Sequence, residues 1–134
     1  MRDLIVKIAQ LIAKLLGQPS LDSLDWRDYA ARALDRLRYE LREQRLSPEH
    51  EAMLRWAMFE VTRANLQLAS LPSAERVNSE AYWARRDALN RIGGITLMKG
   101  MDARQRVADL SDQASQWLLS AAWTAGKTGL DLVL

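Results

Sequence analysis

Apolar residues recur at three- and four-residue spacing through almost the whole of this chain. Its 3 prolines and 6 glycines stand between the periodic stretches, as at Gly17-Gln18-Pro19, Pro48, Pro72, Gly93-Gly94 and Gly100. Neither residue sits well inside a helix. Their placement therefore predicts an all-α fold, a mainly antiparallel bundle of four long helices plus an apolar N-terminal helix. With 134 residues and 49% hydrophobic content, the chain has enough apolar mass to bury a core as one helical domain, residues 1–134.

Each long helix has a readable start or stop. Ser23 caps a predicted helix from about Leu24 to Arg45, with Ala30, Ala33, Leu34, Leu37 and Leu41 as its core stripe. Its other side carries Asp28/Arg32, Asp35/Arg38 and Arg36/Glu40 at helical spacing, as expected of a solvated face. Ser47 followed by Pro48 signals the next helix, which reaches about Ala69. Its main stripe is Met53, Leu54, Ala57, Val61, Ala64 and Leu68, while Phe59 and Leu66 fall on the opposite side. A helix apolar on two sides belongs in the middle of a bundle. Ser73 opens a helix from about Ala74 to Ile92, with the small stripe Ala74, Val77, Ala81, Ala84, Ala88 and Ile92, stopped by Gly93-Gly94. A last helix runs from about Asp102 to Ala125, with Ala103, Val107, Leu110, Ala114, Trp117, Leu118 and Ala121 inward. Residues 95–101 read either as a helical turn or as a loop over the core. The tail, 126–134, is apolar through Leu130, Leu132, Val133 and Leu134, and its conformation is not legible.

The opening segment, 1–17, is the most apolar. From Leu4 to Leu16 only Lys7, Gln10 and Lys14 are polar. On a helical wheel, Asp3 and these three fall within about 60°, and the apolar residues fill an arc of about 220°. A surface helix needs an apolar stripe of only ~100°, so this segment is expected to touch more than one neighbour. The expectations are burial between helices of its own bundle, an oligomer interface through Leu4, Ile8, Leu11, Ile12 and Leu15, or a membrane interface with Lys7 and Lys14 at the headgroups. Asp3, Lys7 and Lys14 interrupt the pattern of a signal peptide, and the run is shorter than the ~20 apolar residues that span a bilayer.

The chain has no cysteine. That excludes disulfides, thiolate metal sites and cysteine nucleophiles, and points to a reducing cytoplasm. The net charge is only +2, carried by 15 Arg and 4 Lys against 17 acids. A balance this close to neutral does not describe a protein that coats nucleic acid. The richness in Arg and Ala fits a GC-rich bacterial genome or one of its phages.

Residues that could carry chemistry are sparse. His50 is the one histidine, and Leu54 stands where a second metal ligand one turn on would be required. Glu40-x-x-Glu43 is interleaved with Arg36, Arg38, Arg42 and Arg45, which neutralise it as a cation site. Gly126-Lys127-Thr128 lacks the first glycine of a phosphate loop, residue 121 being alanine, and no strand precedes it. No cofactor, no metal and no catalytic residue is therefore expected. The joined helices are too long for a helix-turn-helix.

The candidate binding residues are Trp83, opposite the alanine stripe, with Arg76, Arg86 and Asn90 around it, and Trp123 on the last helix. A tryptophan ringed by arginines has the composition of a binding hot spot and of a platform for a base or phosphate. The alternative is that Trp83 packs beneath residues 95–101 or against the first helix. The leading expectation is a non-enzymatic interaction protein, a small bacterial or phage adaptor or inhibitor. Its partners are a second copy of itself and one other protein. Nucleotide or nucleic-acid binding at Trp83, Arg76 and Arg86 comes second, and membrane attachment through the first segment third.

Overall fold

The computed structural model describes residues 26–133. The opening segment, with Leu4, Ile8, Leu11, Ile12 and Leu15, lies outside the described residues, as do the Ser23 cap and Leu134. The described residues form helices α1 (Trp26–Glu40), α2 (Pro48–Ala69), α3 (Ser73–Arg76), α4 (Glu80–Arg91) and α5 (Ala103–Val133), with a 3-10 turn at Met98–Gly100. No strand occurs among them, and the fold class is all-α. An isolated bridge pairs Thr96 with Asp102.

Local chemistry explains the helix ends. The Ser47 hydroxyl accepts the His50 N–H at 3.1 Å with Pro48 at the first helical position, so α2 starts where its sequence signal stands. The α1 helix ends at Glu40, short of the predicted 45. There the Arg42 guanidinium donates to the Tyr39 carbonyl at 2.9 Å, and the Gln44 N–H closes a turn on the Leu41 carbonyl at 2.8 Å. That reversal brings Leu46 back against the core. The Asp102 carboxylate caps α5 by accepting the Arg104 N–H at 2.8 Å. Helix α5 then runs through Gly126 and Gly129 to Val133, eight residues beyond the predicted end at 125. Each glycine weakens a helix by about 1 kcal/mol relative to alanine, and here neither stops it.

The predicted helix over 74–92 is two helices. The chain breaks at Val77-Asn78-Ser79, where Asn78 takes φ 65°, a left-handed conformation that asparagine adopts more readily than most side chains. Ser79 joins the two pieces, donating from its hydroxyl to the Arg76 carbonyl at 2.7 Å and accepting the Tyr82 N–H at 3.1 Å. Ala74 and Val77 consequently leave the predicted stripe and are exposed, while Ala81, Ala88 and Ile92 stay buried. Ala121 on α5 is also exposed, contrary to its predicted inward position, and Trp117 is half-buried against the core.

Side-chain pairings give the helix directions. Arg38 meets Glu51 at 3.5 Å and the Trp26 ring meets Phe59 edge-on at 5.9 Å, so α1 and α2 are antiparallel. Glu40 pairs with Arg106 at one end of α1 while Trp26 and Tyr29 pack on Leu118, Leu119 and Ala122 at the other, so α1 and α5 are antiparallel too. Helices α2 and α5 run parallel. The Ser111 hydroxyl donates to Met58 Sδ at 3.1 Å, and Leu66 and Ala69 share a cluster with Leu118 and Leu119. Helix α2 packs against α1, α4 and α5, the central place its two-sided sequence predicts. The predicted stripe of α1 and most of that of α2 are buried, with Met53 and Leu68 partly so. The segment 95–101 serves both readings given to it. Ile95 and Leu97 sink into the core, and the 3-10 turn closes the loop above them.

Candidate functional site

The fully buried residues of helix α4 are two alanines, Ala81 and Ala88, with Leu89 partly buried against the core. Small side chains let its backbone lie close to α2 and α5, and the bulky residues of the helix turn outward or sideways. Trp83 is 44% exposed. Tyr82 meets the indole edge-on with ring centroids 5.3 Å apart, and the Arg86 guanidinium lies over it at 5.3 Å from the centroid. The spacing of Trp83, Arg86 and Asn90 at i, i+3 and i+7 places them along one side of the helix. A groove of about 350 Å³ runs beside this ridge between α4 and α5, lined by Tyr82, Arg85, Arg86, Asn90, Arg104 and Gln105 among others.

The arginines of the groove are not equivalent. Arg85 Nε donates to Asn65 Oδ1 at 2.9 Å and its Nη2 lies 3.5 Å from Asp112 Oδ1, while Asn65 Nδ2 donates to that same oxygen at 2.8 Å. This triad ties α2, α4 and α5 together. Arg104 forms a two-point pair with Asp102, at 3.2 and 3.0 Å. Its guanidinium holds the Asp102 carboxyl below the usual carboxylate range. Arg86 has the indole beneath it, so a ligand reaching the ridge meets a cation and a ring face together.

Trp83, Arg86 and Asn90 are thus brought onto one surface. Arg76 belongs to α3, where its Nε donates to the Leu71 carbonyl at 3.1 Å and stiffens the turn after α2. Trp123 is half-buried on α5, eleven residues past Asp112 and so about 16 Å farther along that helix. Arg76 thus stands on a different helix from the Trp83 ridge, and Trp123 on a third.

No family model, no curated protein and no solved structure matches this chain.

Four aromatic–arginine pairs among the described residues were not singled out by sequence, and two of them involve exposed rings. Tyr39 is 67% exposed with the Arg42 guanidinium 4.3 Å from its ring centroid, and Trp56 is 38% exposed with that of Arg91 at 5.3 Å. The first repeats the i, i+3 spacing of Trp83 and Arg86 and was open to detection. The second crosses from α2 to α4 and leaves no local signal.

Glu40 is held below the ordinary range mainly by its hydrogen bond from Arg106, against the opposing effect of burial. A lowered carboxyl is the reverse of what a general acid requires at neutral pH. Among the described residues no three His, Asp or Glu side chains gather in a group that fits a cation. No helix in the same span is long and apolar enough to cross a membrane.

Proposed function

We propose that this chain is a non-enzymatic protein–protein interaction module, a small bacterial or phage adaptor or inhibitor of the cytoplasm. It acts by occupying the surface of a partner, and it binds that partner through the Trp83 ridge and itself through the opening segment. The observation that carries the reading is the indole of Trp83, 44% exposed on a helix with alanines inward and braced by Tyr82 and Arg86. Interface hot spots are enriched in Trp, Tyr and Arg, and a braced ring loses little freedom when a partner covers it. The finer architecture belongs to the same proposal. Segment 1–17 is an apolar N-terminal helix beside the bundle, with Leu4, Ile8, Leu11, Ile12 and Leu15 at the contact between copies.

The test is affinity capture from the native host with wild-type chain and with Trp83→Ala. The reading expects a co-purified protein that the variant loses, and whose binding to wild type is reproduced with purified components. A strictly monomeric chain whose tryptophans all resist acrylamide quenching overturns it.

The pairing of Arg86 with the indole also supports the second reading, stacking of a nucleotide or single-stranded nucleic acid at Trp83. Titration with nucleotides and oligonucleotides at low salt, followed by tryptophan fluorescence, separates the two. A response that vanishes in Trp83→Ala favours the second.

A further inference from the structure

A second surface lies where α1 hands the chain to α2. The two helices and their connection leave a hollow of about 470 Å³ there. Its floor is leucine: Leu34, Leu37, Leu41 and Leu54 are buried, and Leu46 is half-buried at the lip. Its rim carries Arg38, Arg42 and Arg45 against the carboxylate of Glu51. Arg38 approaches Glu51 at 3.5 Å and Asp35 at 3.6 Å, so Arg42 and Arg45 carry the excess charge of the rim. The positive end of α2 adds to it. The opposing carbonyl end of α1 is partly covered, because Arg42 donates to the Tyr39 carbonyl at 2.9 Å. The same guanidinium stacks on the exposed Tyr39 ring, which holds Arg42 in place.

We propose that this hollow is a docking site for an acidic segment of a partner protein. One leucine or aromatic side chain enters over the leucine floor, and flanking carboxylates pair with Arg42 and Arg45. Charge and apolarity together choose the occupant. A nucleic-acid strand would satisfy the arginines but would set phosphates or bases against leucine. The chain's own segment 1–17 offers Arg2, Lys7 and Lys14 against Asp3, the wrong sign for this rim. Carboxylate–guanidinium pairing fixes register and accelerates encounter, and the buried anchor supplies the affinity. The inference rests on the reading of the chain as an interaction module, though not on the α4 ridge.

Random peptides displayed on phage and selected against the full-length chain test it. Enriched peptides are expected to hold a leucine or an aromatic residue flanked by Asp or Glu. A synthetic copy of one should weaken about tenfold when its acids are changed to amides, the loss of about one charge-assisted contact. Arg42→Glu/Arg45→Glu should abolish binding with helical content unchanged by circular dichroism, Arg45→Gln should weaken it, and Trp83→Ala should retain it. Methyl resonances of Leu41, Leu46 and Leu54 should shift on titration. Enrichment of basic or uncharged peptides, or of none, overturns the proposal. So does capture of oligonucleotides alone at these arginines. Peptides lost in Trp83→Ala but kept by Arg42→Glu/Arg45→Glu overturn this site and leave the α4 reading standing.

Discussion

Glu40 joins the end of α1 to the first turn of α5. Arg106 Nε donates to its Oε2 at 2.7 Å, and Arg106 Nη2 donates to Oε1. The pair is about three-quarters buried, and the Arg106 hydrogen bond, more than any other influence, holds the carboxyl below its ordinary value of 4.5. A carboxyl lowered on folding adds stability that is present above the unfolded value and is lost as pH falls through the folded one. Wild type should therefore lose stability on acidification below about pH 4.5 faster than Glu40→Gln does. At neutral pH the variant should be less stable by about 1 kcal/mol. Urea unfolding across pH measures both, and parallel curves refute the assignment. Asp112→Ala should cost more, about 1–3 kcal/mol, because it strands the buried Asn65 amide and the Arg85 guanidinium that share its oxygen.

At the scale of elements, the break before α4 is the point to probe. Ser79→Ala removes the cap on α4 and the link to α3, and should lower stability by about 1 kcal/mol. Asn78→Val should cost about 1–2 kcal/mol because a β-branched residue is strained at φ 65°. Asn78→Gly should be neutral or slightly stabilising. If all three melt together in a thermal scan, the two-helix description is wrong.

The same break shows what the sequence could and could not disclose. Ser47-Pro48 and the stripe Ala30 to Leu41 were legible because cap chemistry and helical period agree there. At 77–79 they disagree: Asn78-Ser79-Glu80 spells a cap, yet Val77, Ala81, Ala84 and Ala88 keep step across it. One left-handed residue resets the phase, so a wheel carried from Arg76 to Trp83 crosses a break it does not register. Trp83, Arg86 and Asn90 lie within the unbroken α4, and their shared side was correctly read. The Asn65–Asp112–Arg85 triad and the leucine-floored hollow depend on how separate helices are set together, which period and composition do not encode. The conformation of 126–134 was not legible because glycine is a poor helix former and the apolar residues there suit helix or extended chain alike; the helix continues through Gly126 and Gly129.

For the molecule as a whole, the parallel pair α2 and α5 forms a central seam with α1 and α4 packed on it. This arrangement puts the start of α1 beside the second half of α5. Trp26, which the opening segment precedes, packs beside Leu118, Leu119 and Ala122. From that level α5 continues eleven residues to Val133, about 16 Å of helix. Leu4 to Leu16 presents far more apolar arc than one neighbour can cover, which is the ground for the proposed self-contact. Ile8→Glu/Ile12→Glu should accordingly abolish self-association in sedimentation velocity. Helical content and the unfolding midpoint should change little, since the described core is built without those residues. Trp83→Ala should leave the assembly mass unchanged, because the α4 ridge is assigned to the other partner. A variant that keeps its mass but melts earlier would place the segment inside its own bundle and remove the self-contact. Lipid vesicles that bind wild type and release Lys7→Glu/Lys14→Glu would assign the opening segment to a membrane surface instead.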